Sequence, residues 1–140
     1  MTGQMANDAP LPVLTPENRE FWTGGRDGRL MIMRCASCTR YHHPPSPICP
    51  HCRSTHVAAE AMSGRATVAS FTVNHQKWLP DMRVPFVIGL VELVEQPEIR
   101  ITTNIVNQPV EAAYIGQPVR VIFEAHGDVW LPLFEPDPDA

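Results

Sequence analysis

Cys35-Ala36-Ser37-Cys38 and Cys49-Pro50-His51-Cys52 are the eight residues on which the reading of this 140-residue chain turns. They form two CxxC knuckles separated by ten residues. Two knuckles a short loop apart place four thiolates around one ion, the arrangement of a closed structural zinc site. A tetrahedral shell of four sulfurs suits zinc, with iron as the usual substitute. Such a shell leaves no open position for water or substrate, so the metal is expected to hold the fold rather than to do chemistry. Two disulfides are the competing reading, but they need an oxidising compartment, and no secretory signal precedes the cysteines. His42, His43 and His51 can each replace a thiolate. With four thiols at hand, they are expected at the surface or behind the ligands.

Around this nucleus the chain has room for one domain, or for a small metal module and a compact barrel. Its longest apolar run, Val84 to Val94, is interrupted by Pro85, Gly89 and Glu92, far short of a membrane span. All four cysteines are used in one metal site, which fits a reducing cytoplasm. The net charge of −4 conceals an asymmetry. Six arginines lie between Arg26 and Arg65, against Asp27 and Glu60 alone. From Ala66 onward four basic residues face ten acidic ones. A nucleic-acid binder carries a basic stripe across its reading surface. This balance is poorly suited to a long polyanion, and leaves room for one phosphorylated ligand.

Residues 1–14 are polar, proline-containing and aperiodic, and read as a flexible tail. Thr15-Pro16-Glu17 reads as N-cap, first-turn proline and a carboxylate at the positive helix end. The short helix that follows carries Phe21 and Trp22 and is expected to stop at Gly24-Gly25. Two large aromatics on so short a helix must dock on the rest of the chain or on another protein. Leu30 to Arg34 reads as a strand feeding the first knuckle. The loop Thr39 to Ile48, with Pro44, Pro45 and Pro47, is too rigid and donor-poor for a helix or a central strand.

The second half is strand after strand. Ala66 to Asn74, Phe86 to Val94, Glu98 to Val106, Val119 to Phe123 and Val129 to Phe134 alternate or run apolar, with His126-Gly127-Asp128 as a turn. Five strands with little helical pattern argue for a small closed barrel, for which the OB-fold is the best-known five-stranded solution. The expected class is mainly β: a short N-terminal helix and zinc ribbon over residues 15–62, a barrel over residues 63–136, and a tail at 137–140.

The order of these elements is more telling than any one motif. "GRLMIMRCASC" (28–38) leads to "PPSPICPHC" (44–52) and "SGRATVASFTV" (63–73). "VPFVIGLVEL" (84–93), "IGQPVRVIFE" (115–124) and "DVWLPLFEP" (128–136) follow. This succession resembles the family of zinc-ribbon plus OB-fold proteins long filed as a domain of unknown function, over roughly Thr15 to Pro136. The resemblance implies a rubredoxin-like ribbon joined to an OB barrel. It also implies an accessory role beside thiolases, acyltransferases or the aldolases of steroid side-chain degradation, in some members with a hot-dog-fold hydratase. The expected protein is thus a non-catalytic, hetero-oligomeric subunit that helps complete a partner's acyl-CoA site. The alternative is a nucleic-acid-binding ribbon/OB module.

No nucleophile, base and orienter set is apparent. Every thiol is expected as a metal ligand, and His75, Asp81, Glu92 and His126 stand singly. The segment from Asn74 to Pro85 lies between the first two barrel strands, in the loop that frames an OB binding face. It holds the sole lysine of the chain, Lys77, with Trp78 and Arg83. Lys77 and Arg83 are candidates for phosphate contact, and Trp78 for stacking on an adenine or packing under a partner loop. Phe21 and Trp22 are candidate partner anchors, since aromatic residues dominate binding hot spots. Phe71 and Phe86 read as barrel core. Arg34, Arg40 and Arg53 flank the cysteines, where they donate to sulfur, meet a partner's acidic patch or stay solvated.

Overall fold

The computed structural model describes residues 10–139. Most of the N-terminal tail expected at residues 1–14, and residue 140, lie outside the described residues; residues 10–14 carry neither helix nor strand. Thr15 caps the turn that precedes the helix, whose own N-cap is Asn18 and not Thr15 as expected. Thr15 N–H donates to Asn18 Oδ1 (2.7 Å) while Asn18 N–H donates to Thr15 Oγ1 (3.3 Å), a reciprocal cap. Helix α1 spans Arg19–Thr23 and runs into a 3-10 turn over Gly24–Asp27. The helix stops at its C-cap Gly24, as expected, and the 3-10 turn beyond it ends on the left-handed Gly28 (φ 69°). Gly25 is a glycine for another reason. A Cβ there would sit 2.5 Å from Phe123 Cδ1 and 2.7 Å from Trp130 Cβ, so the turn touches the barrel backbone-first.

Strands β1 (Leu30–Cys35), β2 (Tyr41–His42) and β3 (Val57–Met62) form a three-stranded antiparallel sheet in the order β2-β1-β3. The proline-rich loop contributes only the two-residue edge strand β2, as its shortage of donors requires. The barrel consists of β4 (Arg65–Asn74), β5 (Phe86–Leu93), β6 (Arg100–Ile105), β7 (Pro118–His126) and β8 (Val129–Pro136). It closes in the order β4-β5-β6-β8-β7, with the parallel pair between β6 and β8. A five-stranded closed barrel with this one parallel contact is the OB solution. The five expected strands all form, each within a few residues of its expected bounds.

The alternation seen in the sequence becomes burial. On β5, Val87, Val91 and Leu93 point inward, and on β6 Ile101, Thr103 and Ile105 do so. Gly89 lies between the inward residues of β5 and admits Ile105, whose Cδ1 would stand 2.9 Å from a Cβ there. The β4–β5 ladder slips between Val68 and Ser70, a bulge that bends β4 around the barrel. Phe71 packs against the core from its partly buried position, and Phe86 is likewise half-buried. One buried cluster joins Phe21 of the helix, Leu30 and Ile32 of β1, and the barrel residues Val68, Val91, Ile101 and Phe134. Helix, ribbon and barrel therefore share a single core. Among the described residues no helix is long and apolar enough to cross a membrane.

Candidate functional site

The two knuckles are built alike. Each opens with an N–H from the first cysteine to a carbonyl five residues on: Cys35 to Arg40 (3.0 Å) and Cys49 to Ser54 (2.9 Å). Each then turns back, with Thr39 N–H donating to Cys35 C=O and Arg53 N–H to Cys49 C=O, both at 2.9 Å. Thr39 and Arg53 carry matching left-handed backbones, φ 67° and 66°. The turns aim amides at sulfur: Cys38 N–H lies 3.4 Å from Cys35 Sγ, and His51 N–H 3.4 Å from Cys49 Sγ. The Cys38 amide holds the Cys35 thiol down at about 6, against the opposing effect of burial, so a thiolate is available at neutral pH.

The Sγ atoms of Cys35 and Cys52 are 3.6 Å apart, those of Cys38 and Cys49 3.7 Å, and all four lie within 4.8 Å of one another. A tetrahedron of zinc–sulfur bonds of ~2.3 Å has edges of about 3.8 Å, so the four sulfurs fit one zinc ion. A disulfide, at ~2.05 Å, does not fit these distances. Cys35, Cys38, Cys49 and Cys52 are a closed structural zinc site.

The histidines of the loop have other places. His42 is buried, with Nε2 3.3 Å from Ser46 C=O. His43 packs on Phe21 with ring centroids 4.8 Å apart, and burial, with His42 beside it, pushes its pKa down to about 4. His51 is exposed. Of the flanking arginines, Arg34 donates to Thr39 C=O (2.8 Å) and covers the Tyr41 ring at 4.7 Å, bracing the first knuckle. Arg40 reaches Glu98 of the barrel at 3.6 Å. Arg53 is exposed in the second knuckle.

Lys77, Trp78 and Arg83 all lie exposed on the β4–β5 loop. Trp78 is 70% exposed, its indole N–H donating to Asn74 Oδ1 (3.0 Å), which holds the ring out over the loop. Among the described residues no ion pair engages Lys77 or Arg83. The two aromatics of α1 part company. Phe21 is 4% exposed and belongs to the chain's own core, so it is not available as a partner anchor. Trp22 stands edge-on to it at 4.8 Å and lines a cleft. That cleft, of about 490 Å³, lies between α1, the His43-Pro44 loop and strands β6 and β8. Sequence reasoning missed it, because its walls come from five separate stretches of chain, the first of them at Pro10. His75 and Asp81 are exposed, Glu92 pairs with Arg100 (3.0 Å), and His126 with Glu124 (2.7 Å).

Two family models match this chain: the ChsH2 rubredoxin-like zinc ribbon domain over residues 22–57, and the ChsH2 C-terminal OB-fold domain over residues 59–124. The chain belongs to the ChsH2-type DUF35 family. A DUF35 domain-containing scaffold protein of Methanocaldococcus jannaschii is 34% identical over 96 residues, 67% of either chain. The 3-oxo-4,17-pregnadiene-20-carboxyl-CoA hydratase alpha subunit of Mycobacterium tuberculosis is 37% identical over 117 residues, 84% of this chain and 37% of that one. The chain thus spans about two fifths of the length of the hydratase alpha subunits it matches. Among solved structures, a chain of the Ltp2-ChsH2(DUF35) aldolase superposes with a TM-score of 0.81 at 35% identity, covering 90% of this chain and 98% of that one. The ChsH2 architecture, ribbon then barrel, is the order observed here.

Proposed function

We propose that this ChsH2-type chain is a non-catalytic subunit that binds a thiolase-superfamily partner, an aldolase or thiolase, and helps complete its acyl-CoA site. The observation that carries the reading is the match to the aldolase chain: 35% identity at a TM-score of 0.81 over nearly the whole of that chain. The chemistry of the chain agrees with it. All four thiols are gathered in the zinc cluster, so no cysteine is left to attack a thioester. Glu124 and His126 are hydrogen-bonded to each other on one strand, and among the described residues no further side-chain hydrogen bond joins a third group to them. The bond-breaking groups then belong to the partner.

In this reading the β4–β5 loop meets the nucleotide end of the thioester. Lys77 and Arg83 supply cations, and the projecting Trp78 a flat face for an adenine or a partner loop. The OB face beside that loop is where this barrel type takes ligands. The assembly is a hetero-oligomer, into which a hot-dog-fold hydratase also fits, and its substrate a bulky acyl-CoA of the kind named for the M. tuberculosis relative. A cytoplasmic setting is part of this reading, since four thiols gathered on one metal fit a reducing compartment. Co-expression of the chain with thiolase-like proteins of its own genome, followed by size-exclusion chromatography and an acyl-CoA cleavage assay, tests the proposal. A stable complex whose turnover needs both chains supports it. A chain that elutes alone beside every such protein refutes it.

A further inference from the structure

The ladder between β6 and β8 is short, and the cleft exists because of that. The two strands share one parallel bridge, Ile105 with Phe134. Beyond it Pro132 has no N–H to give, and Thr103 Oγ1 donates to Pro132 C=O instead (2.9 Å). Residues 100–104 and 131–133 carry no further ladder pair with each other, and both stretches line the cleft, with α1 and the His43-Pro44 loop on the other side. From the barrel come Ile101, Leu131 and Leu133; from across the gap come Trp22, His43 and Pro44. The volume, about 490 Å³, lies within the range of roughly 300–1,000 Å³ of small-molecule sites.

Charge says what the cleft does not take. Its one guanidinium, Arg100, is bound through Nε and Nη2 to Glu92 Oε2, both at 3.0 Å. His43 is uncharged, held so by burial. Among the described residues no free cation remains in the cleft lining to meet a phosphate, so these walls do not suit the nucleotide end of a thioester. What the walls offer is apolar area, an exposed Thr102 hydroxyl, and Asn104, whose Nδ2 is engaged by Val87 C=O (3.0 Å) while Oδ1 stays available. Apolar walls with sparse polar groups suit an apolar ring system carrying an isolated ketone.

We infer that this cleft binds the uncharged, fused-ring acyl body of the substrate, apart from the nucleotide end. The identity of the ligand rests on the acyl-CoA reading above; the separation of an apolar cleft from a cationic loop does not. The probe is a neutral 3-ketosteroid, androstenedione, titrated into the full zinc-loaded chain and followed by methyl NMR. Saturable shifts at Ile101, Leu131 and Leu133, with Val110 and Val119 unmoved, are expected. Thr102→Phe, at an exposed position on the cleft wall, weakens binding roughly tenfold or more while zinc content and the remaining methyl spectrum are kept. Absence of shifts, or equal affinity in T102F, overturns the inference. So does protection of these methyls by a protein partner with no response to the steroid, which makes the cleft a protein interface. A chain that binds steroid yet assembles with no thiolase-like protein retires the subunit proposal and leaves the cleft. A complex that forms while the cleft stays silent does the reverse.

Discussion

Gln96 pairs with both backbone groups of Tyr41: Tyr41 N–H donates to Gln96 Oε1 and Gln96 Nε2 donates to Tyr41 C=O, each at 3.1 Å. A side chain from the β5–β6 turn thus stands in for a strand beside β2 and fastens the ribbon's edge to the barrel. Gln96→Glu keeps the shape but loses the donor and sets a carboxylate against a carbonyl oxygen. The expected cost is about 1–2 kcal/mol, read from urea denaturation. Gln96→Ala costs about 1 kcal/mol. No change in either variant removes the clamp.

The zinc site and the barrel share a core through Leu30 and Ile32, so metal loss spreads beyond the ribbon. Cys49→Ser is expected to abolish stoichiometric zinc and to lower the melting temperature of the whole chain in one transition. Metal analysis and calorimetry check it. Two separate transitions would show that ribbon and barrel unfold independently.

His43 links stability to pH. Its folded pKa, about 4, lies below the ordinary 6.5 because burial disfavours the imidazolium, with His42 adding to it. Between those values the unfolded chain binds more protons than the folded one, so stability falls as pH drops from 6.5 toward 4. The loss approaches about 3 kcal/mol at the lower end. His43→Phe keeps a ring against Phe21 and removes the titration. Denaturation of the two proteins across this window, with zinc content followed in parallel, is expected to give a flatter curve for H43F. Parallel curves exclude His43 as the group responsible.

Two glycines separate two kinds of cost. Gly25→Ala drives a methyl into Phe123 and Trp130 and is expected to destabilise by about 1–3 kcal/mol. At Gly28 a Cβ meets nothing within 4 Å, and only its left-handed φ of 69° resists substitution. Gly28→Asn is therefore nearly neutral, since asparagine tolerates that conformation. Thermal melts of the pair check the ranking.

The β4–β5 loop should answer to function and not to stability. Trp78→Ala is expected to shift stability by less than about 0.5 kcal/mol, as its ring is largely solvated. In the complex with a thiolase-like partner, W78A and the double variant K77A/R83A should raise the apparent KM for acyl-CoA. Unchanged kinetics remove the loop from the thioester's path.

Much of the fold was legible because it is written in local patterns. CxxC spacing gives the knuckles, and alternation between turn residues gives the five strands. What escaped reading depends on contacts between distant segments. Nothing near Gln96 marks it as the partner of Tyr41, fifty-five positions away. Gly24-Gly25 is legible as the helix stop it is, but nothing local shows that Gly25 also answers to Phe123 and Trp130 across the fold. Phe21 and Trp22 are equivalent as letters, and only the direction of a short helix decides that Phe21 is buried while Trp22 stays half-buried at the cleft. The cleft needs Pro132 opposite Thr103, a coincidence of register between strands that are not neighbours in sequence.

A ring held by a single clasp opens there first. The β4–β5 seam is laddered over eight paired positions, whereas β6 and β8 meet at one. Amide exchange should therefore be slowest in β4 and β5 and fastest along β8 where it faces β6, with the barrel passing through an open sheet before it unfolds. A molecule seated across that gap would act as a splint. Occupancy of the cleft and the lifetime of the closed barrel are then one equilibrium seen from two sides.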